Sequence, residues 1–196
     1  MLKKLCVISV ALAGWNAASA QEAATHAKIQ TSMGDITVEL YPDTAPATVA
    51  NFLRYATEGH YDRTLMHRVV NGYVIQGGGY SRIFTERTLY DPIPYEGDKS
   101  QKNLRGTIAM ARGDKPDSAQ SQWFINLRDN DDLDHRVTQH GPIYGYAVFG
   151  KVIDRMDVAD AIGAVETGAG GPFEAEVPVE PIFILRIDPA PAPNGE

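Results

Sequence analysis

The sequence predicts a mainly β protein in which short strands close into a β-barrel accompanied by two α-helices. Runs of alternating apolar and polar residues recur between residues 28 and 188, with the period expected of half-buried strands. Only two segments carry the spacing of an amphipathic helix. Because helices do not alternate with the strands, a βαβ fold is disfavoured relative to a barrel. The chain shows no internal repeat and no linker, so we expect one domain.

The first four strands are expected in two pairs, each joined by a tight turn. Residues 28–40 form the first pair, because apolar and polar residues alternate on both sides of the turn signal Gly34–Asp35. Residues 65–70 and 73–76 form the second pair, separated by Asn71–Gly72, a sequence that favours hairpin turns. Both pairs are therefore predicted to be β-hairpins.

The strongest helical pattern covers residues 44–58. Pro46 suits its first turn, Asp43 or Thr44 can cap its start, and Gly59 can end it. Its apolar residues stand at positions i, i+3, i+4 and i+7 and form one stripe: Val49, Phe52, Leu53 and Ala56. This stripe predicts a helix that packs one face on the core.

A long polar segment, residues 77–105, separates these elements from the rest of the domain. Its length and composition predict a loop, and loops of this length tend to be functional. A second helix is predicted over residues 154–162. Short apolar runs predict the remaining strands, at residues 107–110, 122–127, 147–152 and 177–188.

Both ends of the chain are expected to lie outside the folded domain, which spans residues 27–188. Residues 1–20 have a basic start, an apolar run of ten residues that is too short to cross a bilayer, and the small residues Ala18–Ala20. This pattern predicts a secretory signal peptide cleaved before Gln21; the alternative is a short buried helix. Residues 21–26 are expected to be a polar leader, and the Pro- and Ala-rich residues 189–196 a flexible tail.

Composition excludes several functional classes. The chain of 196 residues is 43% hydrophobic and 22% charged, as expected of a soluble globular protein, and its formal charge of −7 disfavours nucleic acid as a partner. The chain has a single cysteine, Cys6, which excludes a disulfide framework and a thiolate zinc site. Cleavage of a signal peptide would remove Cys6, and a chain without thiols suits an oxidising compartment. No hydrolase, zinc-protease or phosphate-loop motif is present, and the acidic residues 129–134 lack the pattern of a calcium loop. We therefore expect no metal and no cofactor.

Four segments of the chain match, in order and in spacing, the signature motifs of a known family. They read MHRVVNGYVIQGG over residues 66–78, GTIAMAR over 106–112, SAQSQWFI over 118–125 and VFGKV over 148–152. The chain resembles the cyclophilins in these segments, and the resemblance covers about residues 27–188. Tyr146 stands where eukaryotic members usually have histidine, so the bacterial secreted cyclophilins look most similar.

The resemblance implies a closed eight-stranded antiparallel barrel capped by two helices. It also implies peptidyl-prolyl cis-trans isomerase activity without a cofactor, and we expect a monomer. Because Cys6 lies inside the apolar run, too early for a lipoprotein motif, we expect no membrane anchor. Together with the N-terminal pattern, it predicts a periplasmic enzyme that acts on proline-containing, folding polypeptides. The main alternative is a binding module of the same fold that grips such segments without significant turnover. A hydrolase or metal protein is a third class, which the absent motifs disfavour.

By resemblance, Arg68 is the catalytic residue and ten further residues bind the substrate. Gln76 and Gln122 would help to hold the substrate backbone, while Ala111 and Arg112 would lie along the peptide groove. The proline pocket would be formed by Tyr73, Val74, Phe124 and Leu133, and bordered by His67 and Tyr146.

The expected chemistry explains why an arginine is needed. Isomerisation of an X-Pro bond breaks no bond to carbon, so it requires neither a nucleophile nor a metal. In the twisted state the prolyl nitrogen becomes pyramidal and gains a lone pair, to which a guanidinium N–H can donate. The planar ground state offers no such acceptor, so this hydrogen bond favours the transition state.

The residue pattern leaves two questions about the site open. Tyr73, Val74 and Gln76 cannot all share one face of a regular strand, so a bulge or the mouth of the turn must bring them together, or one lies outside the site. His67 is expected to be a structural or rim residue rather than an acid or base.

One departure from the family pattern affects the expected inhibitor binding. Asp132 stands where members usually have tryptophan or phenylalanine, next to the pocket residue Leu133. In the family a tryptophan there offers cyclosporin a flat apolar wall and an indole N–H donor. An aspartate offers neither, so we expect weak cyclosporin binding.

Overall fold

The structure is a computed structural model that describes residues 24–191. Within this range the chain forms two α-helices, α1 (Pro46–Thr57) and α2 (Met156–Gly163). The same range contains thirteen strands: β1 (His26–Thr31), β2 (Gly34–Leu40), β3 (Thr64–Leu65), β4 (Arg68–Val70), β5 (Val74–Gly77), β6 (Thr107–Met110), β7 (Trp123–Asn126), β8 (Arg136–Thr138), β9 (Gly141–Ile143), β10 (Ala147–Asp154), β11 (Thr167–Gly170), β12 (Phe173–Pro178) and β13 (Phe183–Ala190). The predicted signal peptide, residues 1–20, lies outside the described residues.

Nine of these strands form one strongly curled antiparallel sheet, in the order β3–β13–β1–β2–β10–β6–β7–β5–β4. The prediction of a closed eight-stranded barrel is therefore wrong, because the sheet is open. Its two edge strands, β3 and β4, are consecutive along the chain and are separated only by Met66 and His67. They follow one another instead of lying side by side, and two or three residues each are too few to build a ladder that closes the sheet.

The core lies between this sheet and the two helices. The apolar stripe predicted for α1 is confirmed at Val49, Phe52 and Ala56, which are buried, while Leu53 is only partly buried. The ring of Phe52 packs on Phe149 of β10, with 5.1 Å between ring centroids. Helix α2 starts two residues later than predicted and buries one apolar face in the same way.

The start of α1 differs from the predicted cap. The helix is preceded by Ala45, and neither Asp43 nor Thr44 caps it with a side chain. Instead, the carboxylate of Glu96 accepts hydrogen bonds from the backbone N–H of Ala47 and of Thr48, at 3.0 and 2.8 Å. The long polar loop thus satisfies two of the N–H groups that a helix start leaves without partners.

Most predicted strands are present, with shifted bounds. The strand predicted at 65–70 is divided into β3 and β4, and the strand predicted at 177–188 is divided into β12 and β13. The first turn lies at residues 32–33 rather than at Gly34–Asp35. Strand β13 continues through Ala190, which pairs with His26, so the paired region extends beyond the predicted bounds of the domain on both sides.

Two hairpins were not predicted, β8–β9 and β11–β12, although the last two residues of β12 fall within the strand predicted at 177–188. Their strands are short, rich in glycine and proline or mostly exposed, so they lack the alternating pattern of a buried strand. Between β5 and β6 the chain forms only isolated bridges, which confirms the predicted long loop.

Candidate active site

A pocket of about 350 Å³ opens on the sheet surface formed by β4, β5 and β7. It brings together nine of the eleven predicted site residues: Arg68, Tyr73, Val74, Gln76, Ala111, Arg112, Phe124, Leu133 and Tyr146. The two others, His67 and Gln122, are not part of this lining. The predicted residues therefore come from five separate parts of the chain and meet at one place.

Strand register explains how the central residues meet. Arg68 of β4 pairs with Gln76 of β5, and Gln76 pairs with Phe124 of β7. Directly opposite residues in antiparallel strands project to the same face of a sheet. The three side chains consequently form a row across three strands, with the charged group at one end and the aromatic ring at the other.

The turn before β5 brings Tyr73 into the same pocket. Tyr73 lies in the turn that ends at β5, and its backbone N–H donates to the carbonyl of Val70 at 3.0 Å. Val74 and Gln76 are two residues apart within β5 and share one face. The sequence left open how these three residues could meet. In the structure, the turn before β5 brings Tyr73 next to Val74 and Gln76, and all three line the pocket.

The apolar part of the pocket is a small cluster separate from the main core. Val74 and Phe124 are 2% and 4% exposed, and they pack with Ala109 and Val148 beneath the pocket. The rings of Phe124 and Tyr146 meet edge to face, 5.3 Å apart. Trp123, the next residue of β7, points into the main core as the period of two predicts.

A chain of polar side chains borders this apolar cluster. Arg68 Nη1 donates to Gln76 Oε1 at 3.3 Å, and Gln76 Nε2 donates to Gln122 Oε1 at 2.9 Å. Gln122 itself lines a neighbouring cavity of about 380 Å³, which shares Gln76, Ala111 and Arg112 with the pocket. Gln122 is thus connected to the site through Gln76 and lines the cavity beside the pocket.

Arg112 uses its side chain to brace the wall of the pocket. Its Nε donates to the carbonyl of Gly145 at 2.8 Å, and its Nη2 donates to the carbonyl of Tyr144. The guanidinium carbon lies 5.1 Å from the centre of the Tyr146 ring. These contacts hold the guanidinium against the segment that carries Tyr146.

His67 lies behind the pocket instead of bordering it. Its ring is 3% exposed and packs between Tyr80 and Phe173, with centroid distances of 4.8 and 5.6 Å. Burial lowers the pKa of His67 to about 4. Because Arg68 projects to the pocket face, its neighbour in sequence projects away from it. The structure thus places His67 outside the lining of the pocket that it was predicted to border, and its burial suits the structural role that was also expected.

The structure adds one carboxylate that the sequence analysis did not place at the site, Glu176, and shows which pocket residue Asp132 contacts. Glu176 Oε2 of β12 accepts a hydrogen bond from Arg68 Nε at 2.7 Å. Asp132 Oδ2 accepts one from the Tyr73 hydroxyl at 2.8 Å. Burial, with the hydrogen bond to Asp132 as a further cause, raises the pKa of Tyr73 to about 12. No local pattern pointed to Glu176, because its partner is 108 residues away.

Two further features concern ligands and membranes. Among residues 24–191, no group of three or more His, Cys, Asp or Glu side chains is arranged to hold a metal ion. In the same part of the chain, no helix is long and apolar enough to cross a membrane.

The fold, the pocket and the motifs around it define a peptidyl-prolyl isomerase of the cyclophilin class. Residues 26–188 match the family described as "Cyclophilin type peptidyl-prolyl cis-trans isomerase/CLD", and the chain belongs to this family. Peptidyl-prolyl cis-trans isomerase A of Dickeya dadantii is 43% identical over 178 residues, 91% of either chain. Peptidyl-prolyl cis-trans isomerase B of Escherichia coli is 45% identical over 158 residues, which are 80% of this chain and 94% of that protein.

A solved structure gives the same result for the fold. The cyclophilin type peptidyl-prolyl cis-trans isomerase of Cryptosporidium parvum, crystallised in the presence of the dipeptide Ala-Pro, superposes with a TM-score of 0.66. It is 26% identical, and the superposition covers 84% of this chain and 98% of the other. The chain is accordingly a cyclophilin-type isomerase, an enzyme that acts on proline-containing peptides.

Proposed function

We propose that Arg68 is the catalytic residue of this isomerase and that its substrates are polypeptides folding in the periplasm. The observation that carries the first part is the row formed by Arg68, Gln76 and Phe124. It sets a permanently charged donor beside an apolar surface that can accept a proline ring. A binding module would need the apolar surface but not the donor.

The row of Arg68, Gln76 and Phe124 suits the rotation of the X-Pro bond between its cis and trans forms. Amide resonance gives this bond a rotation barrier of about 18–20 kcal/mol. As the bond twists, the prolyl nitrogen gains a lone pair that can accept a hydrogen bond from a guanidinium N–H. Within residues 24–191, the hydrogen bonds of Arg68 involve Nε and Nη1, so its Nη2 group remains for the substrate.

The apolar cluster supplies the second requirement, a fixed seat for the proline ring. With the ring held against Phe124, rotation of the preceding carbonyl becomes the main remaining motion. A ~10⁵-fold acceleration needs about 7 kcal/mol of transition-state stabilisation. Because the guanidinium meets its acceptor only in the twisted state, the hydrogen bond acts on the rate rather than on binding alone.

The proposed compartment is supported by the N-terminal sequence. Residues 1–20 combine a basic start, a short apolar run and the small residues Ala18–Ala20. Cleavage before Gln21 would also remove Cys6 and leave a chain without thiols, which cannot form wrong disulfides in an oxidising compartment. Newly exported polypeptides that contain trans or cis prolines are the substrates that such an enzyme would meet.

The catalytic role is tested by substitution at Arg68 and NMR exchange on a proline-containing peptide, without a coupled protease. Arg68→Ala is expected to lose most of its turnover while keeping its fold and part of its peptide affinity. Arg68→Lys is expected to be poor as well, because an ammonium cannot reproduce the planar fork of donors. Arg54→Ala is the matched control, since Arg54 pairs with Glu58 on α1 and does not line the pocket. Near-normal exchange in folded Arg68→Ala would defeat the mechanism.

The compartment is tested on the exported protein itself. Its intact mass is expected to correspond to a chain that begins at Gln21, and its activity is expected to be the same with and without dithiothreitol. Exported material that still carries Met1 would contradict the proposed cleavage. Activity that depends on the reductant would contradict the thiol-free mature chain.

A further inference from the structure

Glu176 is the only carboxylate that forms an ion pair with Arg68 within residues 24–191. The carboxylate accepts from Nε, and Gln76 accepts from Nη1 on another edge of the same guanidinium. Two of the three nitrogens therefore have fixed partners, which restrict rotation of a long and otherwise flexible side chain. Both side chains of the ion pair remain partly exposed, so a ligand can reach the site.

The backbone around Glu176 is unusual for a non-glycine residue. Glu176 has a φ of +67°, in the left-handed region that L-residues adopt rarely and at an energetic cost. It lies in a segment where the β11–β12 ladder shifts its register, between the pairs Gly168–Val177 and Gly170–Phe173. Such irregularities redirect side chains, and here the redirected side chain is the one that meets Arg68.

The same strand is anchored next to Arg68 by a second contact. Phe173 of β12 stacks on the ring of His67, with centroids 5.6 Å apart, and meets Tyr80 edge to face at 5.2 Å. The first residue of β12 thus packs on the buried residue before Arg68, and Glu176, three residues further along the strand, binds the guanidinium of Arg68 itself. The β11–β12 hairpin therefore contacts Arg68 directly through Glu176 and contacts the neighbouring His67 through Phe173.

We infer that Glu176 is a positioning residue that orients the Arg68 guanidinium for isomerisation. The inference rests on the proposed catalytic role of Arg68. An arginine that is already held in one orientation loses less conformational freedom when the transition state forms. Glu176 acts through Arg68 and does not itself touch the prolyl bond.

The test compares Glu176→Ala and Glu176→Gln with the control Glu174→Ala. Glu174 is exposed on the same strand and has no ion pair or side-chain hydrogen bond in the described structure. Glu176→Ala is expected to slow the exchange rate of the bound peptide roughly three- to tenfold, with less than a twofold change in peptide affinity. Glu176→Gln is expected to lie between this variant and wild type, because its amide oxygen still accepts but carries no charge. Glu174→Ala is expected to exchange at the wild-type rate.

Two further measurements separate positioning from a merely structural role. The Nε–Hε signal of Arg68 in ¹⁵N NMR, assigned by its absence in Arg68→Ala, is expected to move in Glu176→Ala and to stay in place in Glu174→Ala. In the Arg68→Ala background, replacing Glu176 is expected to cause no further loss of exchange, because the two residues act as one unit.

The possible results are distinguishable. Wild-type or faster exchange in folded Glu176→Ala would overturn the inference, and so would an equal loss in the Arg68→Ala background. Wild-type exchange in Arg68→Ala alone would overturn the catalytic role of Arg68, and the positioning role would fall with it. The catalytic role of Arg68 and the positioning role of Glu176 would both be supported if Glu176→Ala slows exchange only when Arg68 is present and also shifts the Nε–Hε signal.

Discussion

The buried imidazole of His67 predicts that acidification destabilises the fold. Burial holds the pKa of His67 at about 4 in the folded protein, compared with 6.5 for the ordinary group. Between these two pH values the unfolded chain binds a proton that the native chain does not, so the free energy of unfolding falls as the pH falls through this window. From pH 7 to pH 5 the loss due to His67 is about 2 kcal/mol. For a domain of this size, that corresponds to a Tm lower by about 4–8 °C.

His67→Phe isolates this contribution. A phenyl ring can keep the packing between Tyr80 and Phe173, and the Nδ1 atom that it replaces is buried without a hydrogen-bond partner. The Tm of the variant is expected to fall by about 4–8 °C less than that of wild type between pH 7 and pH 5. His60, whose pKa is also lowered by burial, is present in both proteins, so its contribution cancels.

The assay is thermal unfolding followed by circular dichroism at several pH values, with isomerisation measured at pH 7. His140→Phe is the matched control, because His140 is exposed in the turn between β8 and β9 and should leave the pH dependence unchanged. His67→Phe is expected to keep most of its turnover, since His67 does not line the pocket and the phenyl ring loses only the imidazole's contacts with the Leu65 backbone and the Gln122 side chain. An unchanged pH dependence in folded His67→Phe would refute the linkage argument, and loss of turnover would refute the structural role.

Two further predictions concern the start of α1 and the binding of cyclosporin. Glu96→Ala removes the carboxylate at the start of α1 and should lower the free energy of unfolding by about 1–2 kcal/mol in denaturant titrations. Asp98→Ala, at an exposed neighbouring position, should not; equal losses would contradict the capping role. In titrations with cyclosporin, wild type should bind roughly 50- to 300-fold more weakly than a relative with tryptophan at the position of Asp132. Asp132→Trp should recover part of this affinity, and equal affinities of wild type and variant would exclude the role assigned to this position.

The parts of the site that could be predicted are those encoded by local patterns. The period of two set Val74 and Gln76 on one face, whereas the spacing alone left the place of Tyr73 open. The family motifs then indicated which of the many possible faces is the site. These two kinds of information together predicted nine of the residues that line the pocket.

The contacts that could not be predicted share a different physical origin. Glu96 caps a helix 48 residues earlier in the chain, and Glu176 pairs with an arginine 108 residues away. The sequence around an exposed carboxylate does not show whether a distant side chain will pair with it, because the pairing depends on how the complete chain folds. The open sheet has the same cause, because its edges are determined by how β3 and β4 follow one another and not by the pattern within either strand. The motifs that carry the pocket side chains are thus local features of the sequence, whereas the row that these side chains form and the contacts that hold Arg68 in place depend on the complete fold.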